Sequence, residues 1–236
     1  IFLFYNMKRE IIVISLGGSQ IIKNGEINNN FLEKFKKIIL KHSKTRKFII
    51  VCGGGSVSRM YIEGLRKAGK SDKLQSYAGI SITRHNARFM SYFFNEENED
   101  GIPHDLPKLS NILKRRNFVF CGALEYKPNQ TSDGTAAQIA SHFNSLFINI
   151  TNINGLYNKN PLEHKDAKFI PAISWNEFDK MANKLSFKPG QHFVLDQSAS
   201  KIIMWNKIKT IIVGSNLNNL DKAISGKKFV GTLIYN

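Results

Sequence analysis

Short apolar runs alternate along the chain with longer stretches in which apolar residues recur every three or four positions. The runs occupy residues 11–16, 48–52, 118–121, 146–150 and 211–213. The amphipathic stretches cover residues 29–41, 57–67, 80–94, 134–143, 197–205 and 217–224. A run of a few β-branched and aromatic residues predicts a strand buried on both faces; a 3.6-residue period predicts a helix with one face on a core. Their alternation predicts an α/β fold, a largely parallel sheet covered by helices on both sides, with a closing strand at residues 229–234.

The first two runs stop in glycine turns, Gly17-Gly18-Ser19 and Gly53-Gly54-Gly55-Ser56, while Gly122 follows the third run and Thr151-Asn152 the fourth. Ligands of doubly wound sheets gather outside the carboxyl ends of the strands. A glycine there lets backbone N–H groups approach an anion closely. Neither turn carries the Gly-Lys-Ser/Thr ending of a Walker loop, nor the spacing of a dinucleotide fingerprint. As a pair they predict a phosphate-transfer enzyme.

The chain has 236 residues, 42% of them hydrophobic, enough for a substantial core. It shows no internal repeat and no low-complexity linker, so residues 7–236 are expected to form one domain. Residues 1–6 are apolar but far too short to span a bilayer, and Met7 is a plausible start. They are expected to be a translation-start artefact or a disordered extension. The acidic patch Glu96–Asp100 is expected to be a loop between helices. Cys52 and Cys121 each close a strand, a placement for small buried residues in a reducing cytoplasm and not for a disulfide or zinc site. His85, His104 and His192 have no metal-ligand spacing.

Lys and Arg number 34 against 18 Asp and Glu, a formal net charge of +16. The lysines are spread along the chain and not gathered on a stripe with stacking aromatics, which argues against a nucleic-acid groove. A basic field still attracts nucleotide phosphates.

Residues 151–157, Thr-Asn-Ile-Asn-Gly-Leu-Tyr, precede Asn160-Pro161; residues 79–87 read Gly-Ile-Ser-Ile-Thr-Arg-His-Asn-Ala; and residues 196–203 read Asp-Gln-Ser-Ala-Ser-Lys-Ile-Ile. With the two glycine turns, these motifs make the chain resemble the amino-acid kinase superfamily, and within it the archaeal-type uridylate kinases. The resemblance runs in order from Met7 to the C-terminus. It implies a three-layer αβα sandwich and transfer of the ATP γ-phosphoryl group to UMP. It also implies Mg2+ carried mainly by the phosphates and assembly as a homo-oligomer, commonly a hexamer, in the cytoplasm with no membrane partner.

Carried over by motif, Ser15, Leu16, Gly17, Gly18 and Ser19 would contact the ATP phosphates, with Gly55 and Arg59 towards ATP. Thr151, Asn152, Tyr157 and Asn160 would line the ATP nucleoside. Gly54, Ser76, Gly122, Pro128, Asn129, Gln130 and Thr131 would hold UMP. Asp133 would act at the reaction centre, its alternative role being a first-turn carboxylate of a helix.

Where many relatives have a Lys in the first strand, this chain has Ser15, which leaves Arg59 and Lys201 as the cations expected to neutralise the transferred phosphate. Ser76, Asn154 and Asn160 stand where the family has Asp. Two alternatives stay open beside UMP kinase. One is an isopentenyl phosphate kinase, although that group has a His soon after its second glycine turn and residues 56–59 have none. The other is a non-catalytic nucleotide sensor or assembly protein, prompted by the lost charges.

Overall fold

The first apolar run becomes β1 (Ile11–Leu16) in the computed structural model, which describes residues 9–96, 101–128, 130–184 and 195–236. A one-turn helix α1 (Gly18–Ile21) and a small hairpin, β2 (Ile22–Lys23) and β3 (Glu26–Ile27), lead into α2 (Asn29–His42). Then come β4 (Lys47–Cys52), α3 (Gly55–Lys67), α4 (Asp72–Phe93), α5 (Leu106–Arg115) and β5 (Phe118–Cys121). The second half runs α6 (Ser132–Phe143), β6 (Leu146–Ile150), β7 (Leu156–Tyr157), β8 (Phe169–Ile170), β9 (Ala172–Ser174) and α7 (Trp175–Lys184). It closes with α8 (Gln197–Trp205), β10 (Thr210–Val213), α9 (Leu217–Ile224) and β11 (Thr232–Tyr235).

Seven strands form one sheet in the order β5-β4-β1-β6-β10-β11-β9. The five from β5 to β10 are parallel; β11 runs antiparallel to β10, and β9 pairs parallel with β11. Strand β1 lies between β4 and β6, with Ser15 level with Val51 on one side and Asn149 on the other. The chain leaves β1 towards β4 and later returns to the far side of β1 as β6. The sheet therefore has its switch point at β1, and the crevice of a doubly wound fold opens there.

The two crossovers run in opposite directions, and right-handed connections then put α2 and α6 on opposite faces. On one face Phe94, at the end of α4, sits between Phe35 of α2 and Phe118 and Phe120 of β5, with ring centroids 6.2, 5.4 and 4.8 Å away. Lys41 and His42 at the end of α2 both bond Asp221 of α9, at 2.9 and 2.6 Å. On the other face α6 and α8 are joined at their N-termini, as described below.

Local structure departs from the sequence expectations in three places. Helix α4 begins at Asp72, eight residues before the predicted 80; Ser76 and Gly79 border a crevice and interrupt the apolar stripe there. Helices α5 and α7 lie outside the predicted segments, although Leu106, Leu109, Ile112 and Leu113, and Trp175, Phe178, Met181 and Ala182, recur at helical spacing; their starts are set by caps. Asp105 accepts from Lys108 N–H at 2.7 Å, and Ser174 and Glu177 form a reciprocal capping box. The β2–β3 hairpin turns on Asn24-Gly25, both at positive φ, the pair a type I′ turn demands. The expectations for residues 1–6, Asn129, His192 and most of the 96–100 loop lie outside the described residues.

Candidate active site

Ser15 is fully buried near the carboxyl end of β1, and its hydroxyl donates to Asp133 Oδ1 at 2.6 Å. Asp133 occupies the first turn of α6, whose N-cap Thr131 accepts from Gly134 N–H at 3.1 Å. The same Thr131 hydroxyl donates to Asp196, which in turn caps α8 by accepting from Ala199 N–H at 2.8 Å. One hydroxyl thus locks two helix N-termini together beside β1. Burial away from water, then the neighbouring Asp196 charge, push the Asp133 carboxyl up to about 7, and the Ser15 hydrogen bond holds it back in part. Asp133 is accordingly both the first-turn carboxylate and a group poised to titrate near neutrality.

The two glycine turns pack backbone to backbone. A Cβ built on Gly18 would sit 2.2 Å from Gly55 N, and one on Gly53 would sit 2.8 Å from Gly18 N. Gly55 adopts φ +64°, a conformation that favours glycine. Gly17 has room: the nearest atom to its Cβ would be Ile150 O at 3.5 Å. The glycines at 18, 53 and 55 therefore hold the turns against each other, a role that motif reasoning had given to an approaching anion alone.

Between α3, α4 and residues 123–132 lies a crevice of about 340 Å3. It brings together Gly54, Gly55, Arg59, Ser76, Gln130 and Thr131 from the sequence-derived set. Gly122 stands behind it, a Cβ there meeting Arg84 N at 2.5 Å, and Pro128 is exposed on the loop. Gln130 donates to Thr135 Oγ1 and Gln138 Oε1 at 3.0 and 3.1 Å, while its own Oε1 is buried without a partner among the described residues. Burial pushes the Cys52 and Cys121 thiols up, Cys121 to about 12, so both stay protonated and inert.

The motif of residues 79–87 turns inward. Asn86 Nδ2 donates to Gly53 O at 2.7 Å, Thr83 Oγ1 accepts from Ala123 N–H at 3.0 Å, and Arg84 donates to the carbonyls of Ala123, at 3.0 Å, and Leu124. These side chains fix the second glycine turn and the start of the 123–132 loop. Sequence reasoning placed the motif near the ligand without seeing that it works through backbone. It also missed Tyr126 and Lys127 on the crevice wall and Lys73, whose ammonium lies over Tyr77 and Tyr126 at 5.8 and 5.9 Å. The Lys and Tyr spacing there had no periodic signal to mark it.

Thr151 begins the turn after β6, anchored by its N–H to Val213 O at 2.9 Å. Asn152 lies beside it, and Tyr157 packs edge-on against Phe169 at 5.3 Å. Asn160 Oδ1 accepts from Leu162 N–H at 3.0 Å, an Asx-type turn that needs no carboxylate. Arg59 and Lys201 are both exposed, and among the described residues neither is engaged in a hydrogen bond or ion pair. Arg59 borders the crevice, whereas Lys201 stands on α8, one turn beyond the Asp196 cap.

The model of the amino acid kinase family matches residues 10–214 of this chain. The chain is 34% identical over 226 residues to a uridylate kinase of Thermoplasma volcanium, covering 95% of this chain and 97% of the relative. The crystal structure of the uridylate kinase from Archaeoglobus fulgidus superposes with a TM-score of 0.82 at 31% identity, covering 94% of this chain and 99% of that one. The UMP kinase from Ureaplasma parvum shares the fold, with a TM-score of 0.80 at 19% identity, covering 98% and 100% of the two chains.

Proposed function

The chain belongs to the amino acid kinase family and, within it, to the archaeal-type uridylate kinases, and from that premise we propose that it transfers the γ-phosphoryl group of ATP to UMP. An oxygen of the UMP phosphate bonds to the γ-phosphorus as the bond to the β–γ bridging oxygen breaks. The electron pair leaves with ADP, and UDP forms. Such transfer asks a protein for positioning and charge neutralisation more than for a reactive side chain.

The donor lies along the Gly17–Ser19 turn with its nucleoside towards Thr151, Asn152, Tyr157 and Asn160. The acceptor lies in the α3–α4 crevice. The observation that supports this arrangement best is the backbone contact between Gly18 and Gly55. It sets the two anion-binding turns side by side at the switch point, with Arg59 on the acceptor wall. Arg59 and Lys201 supply the positive charge that Ser15 does not. Ser15 fixes Asp133, whose protonated form limits repulsion of the phosphates.

Magnesium binds through one or two carboxylates plus substrate phosphates and keeps several waters. Asp196, the N-cap of α8 beside the protonated Asp133, would supply one such carboxylate, with the substrate phosphates as the main ligands. When bound, the ion would neutralise charge on the triphosphate.

Gln130 lines the crevice, and a turn of its side chain would bring its Oε1, covered and without a partner among the described residues, to an incoming base. That oxygen would accept from the N3–H of uracil, whereas cytosine offers only an acceptor at N3. A site built to take a hydrogen bond rejects the analogue that lacks it.

Coupled turnover with ATP against UMP, CMP, dUMP, AMP and isopentenyl phosphate tests the proposal. Preference for UMP by about tenfold, roughly 1.4 kcal/mol, is expected. Equal or better turnover of isopentenyl phosphate would move the chain to that branch of the family. ATP binding without any turnover would make it a nucleotide sensor. The same reading includes a cytoplasmic homo-oligomer, a hexamer by resemblance, which light scattering would count. Among the described residues no helix is long and apolar enough to cross a membrane.

A further inference from the structure

Gln130 lines two spaces at once, the α3–α4 crevice and a smaller cavity of about 160 Å3 that it shares with Leu124, Gln138 and Ile139. A carboxamide has an accepting end and a doubly donating end, and it can sit either way round. The end that meets a ligand is therefore set by the groups that hold the other. For Gln130 these groups are Thr135 Oγ1 and Gln138 Oε1, at 3.0 and 3.1 Å from its Nε2.

The members of this chain of bonds differ in their freedom to change roles. The Thr135 hydroxyl, buried on α6, gives its proton to Thr131 O at 3.1 Å, which leaves its oxygen to accept; a rotation would reverse that. Gln138 is another amide and can turn over. Lys127 has no such choice: an ammonium carries three donors and no acceptor, and this one donates to Gln138 Oε1 at 3.3 Å. The one-way group sets the rest. Lys127 draws the oxygen of Gln138 towards itself, that oxygen asks Gln130 for a proton, and Gln130 commits its N–H groups inward. Its Oε1 is left over, covered and without a partner among the described residues. An unpaired covered acceptor is costly, so a ligand that brings a donor gains more than one that does not. The smaller cavity gives the amide room to turn, and while either Nε2 bond holds, Oε1 is the atom that swings to the crevice.

We propose that Lys127 and Gln138 are positioning residues for base selection: through them Gln130 offers the base an acceptor and withholds its donors. The proposal rests on the reading of the α3–α4 crevice as the UMP site and adds the residues that set its preference. Neither residue has to touch the base, because both act through the Gln130 amide. The arrangement can be inverted by one side chain. A carboxylate at residue 127 takes protons instead of giving them, so Gln138 would turn its N–H groups to it and face Gln130 with a donor. Gln130 would then turn its oxygen inward and its N–H groups to the crevice. That edge suits the N3 acceptor of cytosine and opposes the N3–H of uracil.

Titration calorimetry of the whole chain with UMP and with CMP tests it. Wild type is expected to bind UMP about tenfold more tightly, and Lys127→Glu should move the ratio towards CMP by about tenfold or more. Both nucleotides carry the same phosphate, so a general change in charge attraction alters both affinities and cancels in the ratio. Lys127→Arg keeps a donor-only side chain and should keep the ratio. Lys73→Glu reverses a charge that lies over Tyr77 and Tyr126 instead of on Gln138, and it should keep the ratio too. A second readout needs no nucleotide: by NMR, the side-chain NH2 protons of Gln130 should exchange with water slowly in wild type and faster in Lys127→Glu. A preference for UMP that Lys127→Glu leaves unchanged would overturn the positioning role while the proposed function stands, as would equal amide exchange in the two proteins. Wild type binding neither monophosphate would overturn both readings together.

Discussion

The α3–α4 crevice and the turn at residues 151–160 are built on different principles. The wall at Gly53–Ala123 is stitched by side chains of one long helix to backbone 33 to 40 residues away, through Asn86, Thr83 and Arg84. Asn86 is 2% exposed. The turn at residues 151–160 is held mostly by neighbours: Thr151 to Asn152, Asn160 to Leu162, and an exposed Lys159–Asp166 pair. Its long-range anchors are Thr151 N–H, donating to Val213 O at 2.9 Å, and Thr232, whose hydroxyl accepts from Leu156 N–H at 2.7 Å and donates to Ile170 O at 2.6 Å. Buried polar bonds of long reach fix a geometry, while local turns leave it adjustable. On the proposed function the stitched side would be the selective acceptor wall, and the donor turn would tolerate Asn154 and Asn160 where the family has Asp.

The sharpest way to break this contrast is at the seam between the glycine turns. Gly18→Val would drive a side chain into backbone 2.2 Å away, where no flexible group can yield. We expect a loss of roughly 3 kcal/mol or more of stability together with all turnover. Gly17→Ala, with φ −55° and only an ordinary contact with Ile150 O at 3.5 Å, should keep stability within about 1 kcal/mol. Thermal unfolding of both variants measures the difference. Equal melting temperatures would show that the turns are not packed as described.

Next in size is the question of which wall supplies charge. Arg59 stands on the stitched side and Lys201 on α8. Removing a group that stabilises the transition state costs about 10²-fold in kcat. Arg59→Ala and Lys201→Ala should each fall by about that factor, with KM for ATP changed less. Normal turnover in both would leave glycine N–H groups and magnesium as sufficient.

The alternation of runs and periods made the parallel sheet legible, because a strand buried on both faces needs apolar residues at every position, as at Ile12, Val13 and Ile14. The glycine turns were legible as a site because glycine is costly anywhere a side chain would serve. The closing strand was legible and became β11, whereas its antiparallel direction and the short β9 beside it were hidden; Thr232 is buried for its hydroxyl, not for apolar surface. The long N-terminal part of α4 was hidden because Ser76 and Gly79 face a crevice and interrupt the apolar stripe. Caps such as Ser174 with Glu177, and the Asn24-Gly25 turn, were written in the sequence in local chemistry, not in periodicity.

A third test asks how the Ser15–Asp133 pair behaves between the two walls. The folded carboxyl titrates at about 7 against an ordinary 3.8, so between those values the folded chain holds a proton that the unfolded chain has released. The protein binds more protons when folded, so this group makes stability fall as pH rises from about 4 to 7, by at most about 1.4 kcal/mol per pH unit. Asp133→Asn should flatten that fall. Urea midpoints at pH 5, 6, 7 and 8 for wild type and variant would show it; parallel profiles would mean that solvent reaches the carboxylate freely.

The smallest effect belongs to the donor turn, and its smallness is the point. Asn160 caps only the N–H of Leu162, two residues on, and that N–H can turn to water when the side chain is removed. Asn160→Ala should change stability by no more than about 0.5 kcal/mol. If this turn touches the ATP ribose, the variant raises KM for ATP, while KM for UMP stays put. Asn160→Asp adds a carboxylate, a stronger hydrogen-bond acceptor for a ribose hydroxyl. It should lower KM for ATP by a small factor without altering kcat. A shift in KM for UMP of equal size in either variant would mean that the turn communicates with the acceptor wall. The separation between a rigid selective side and an adjustable donor side would then fail.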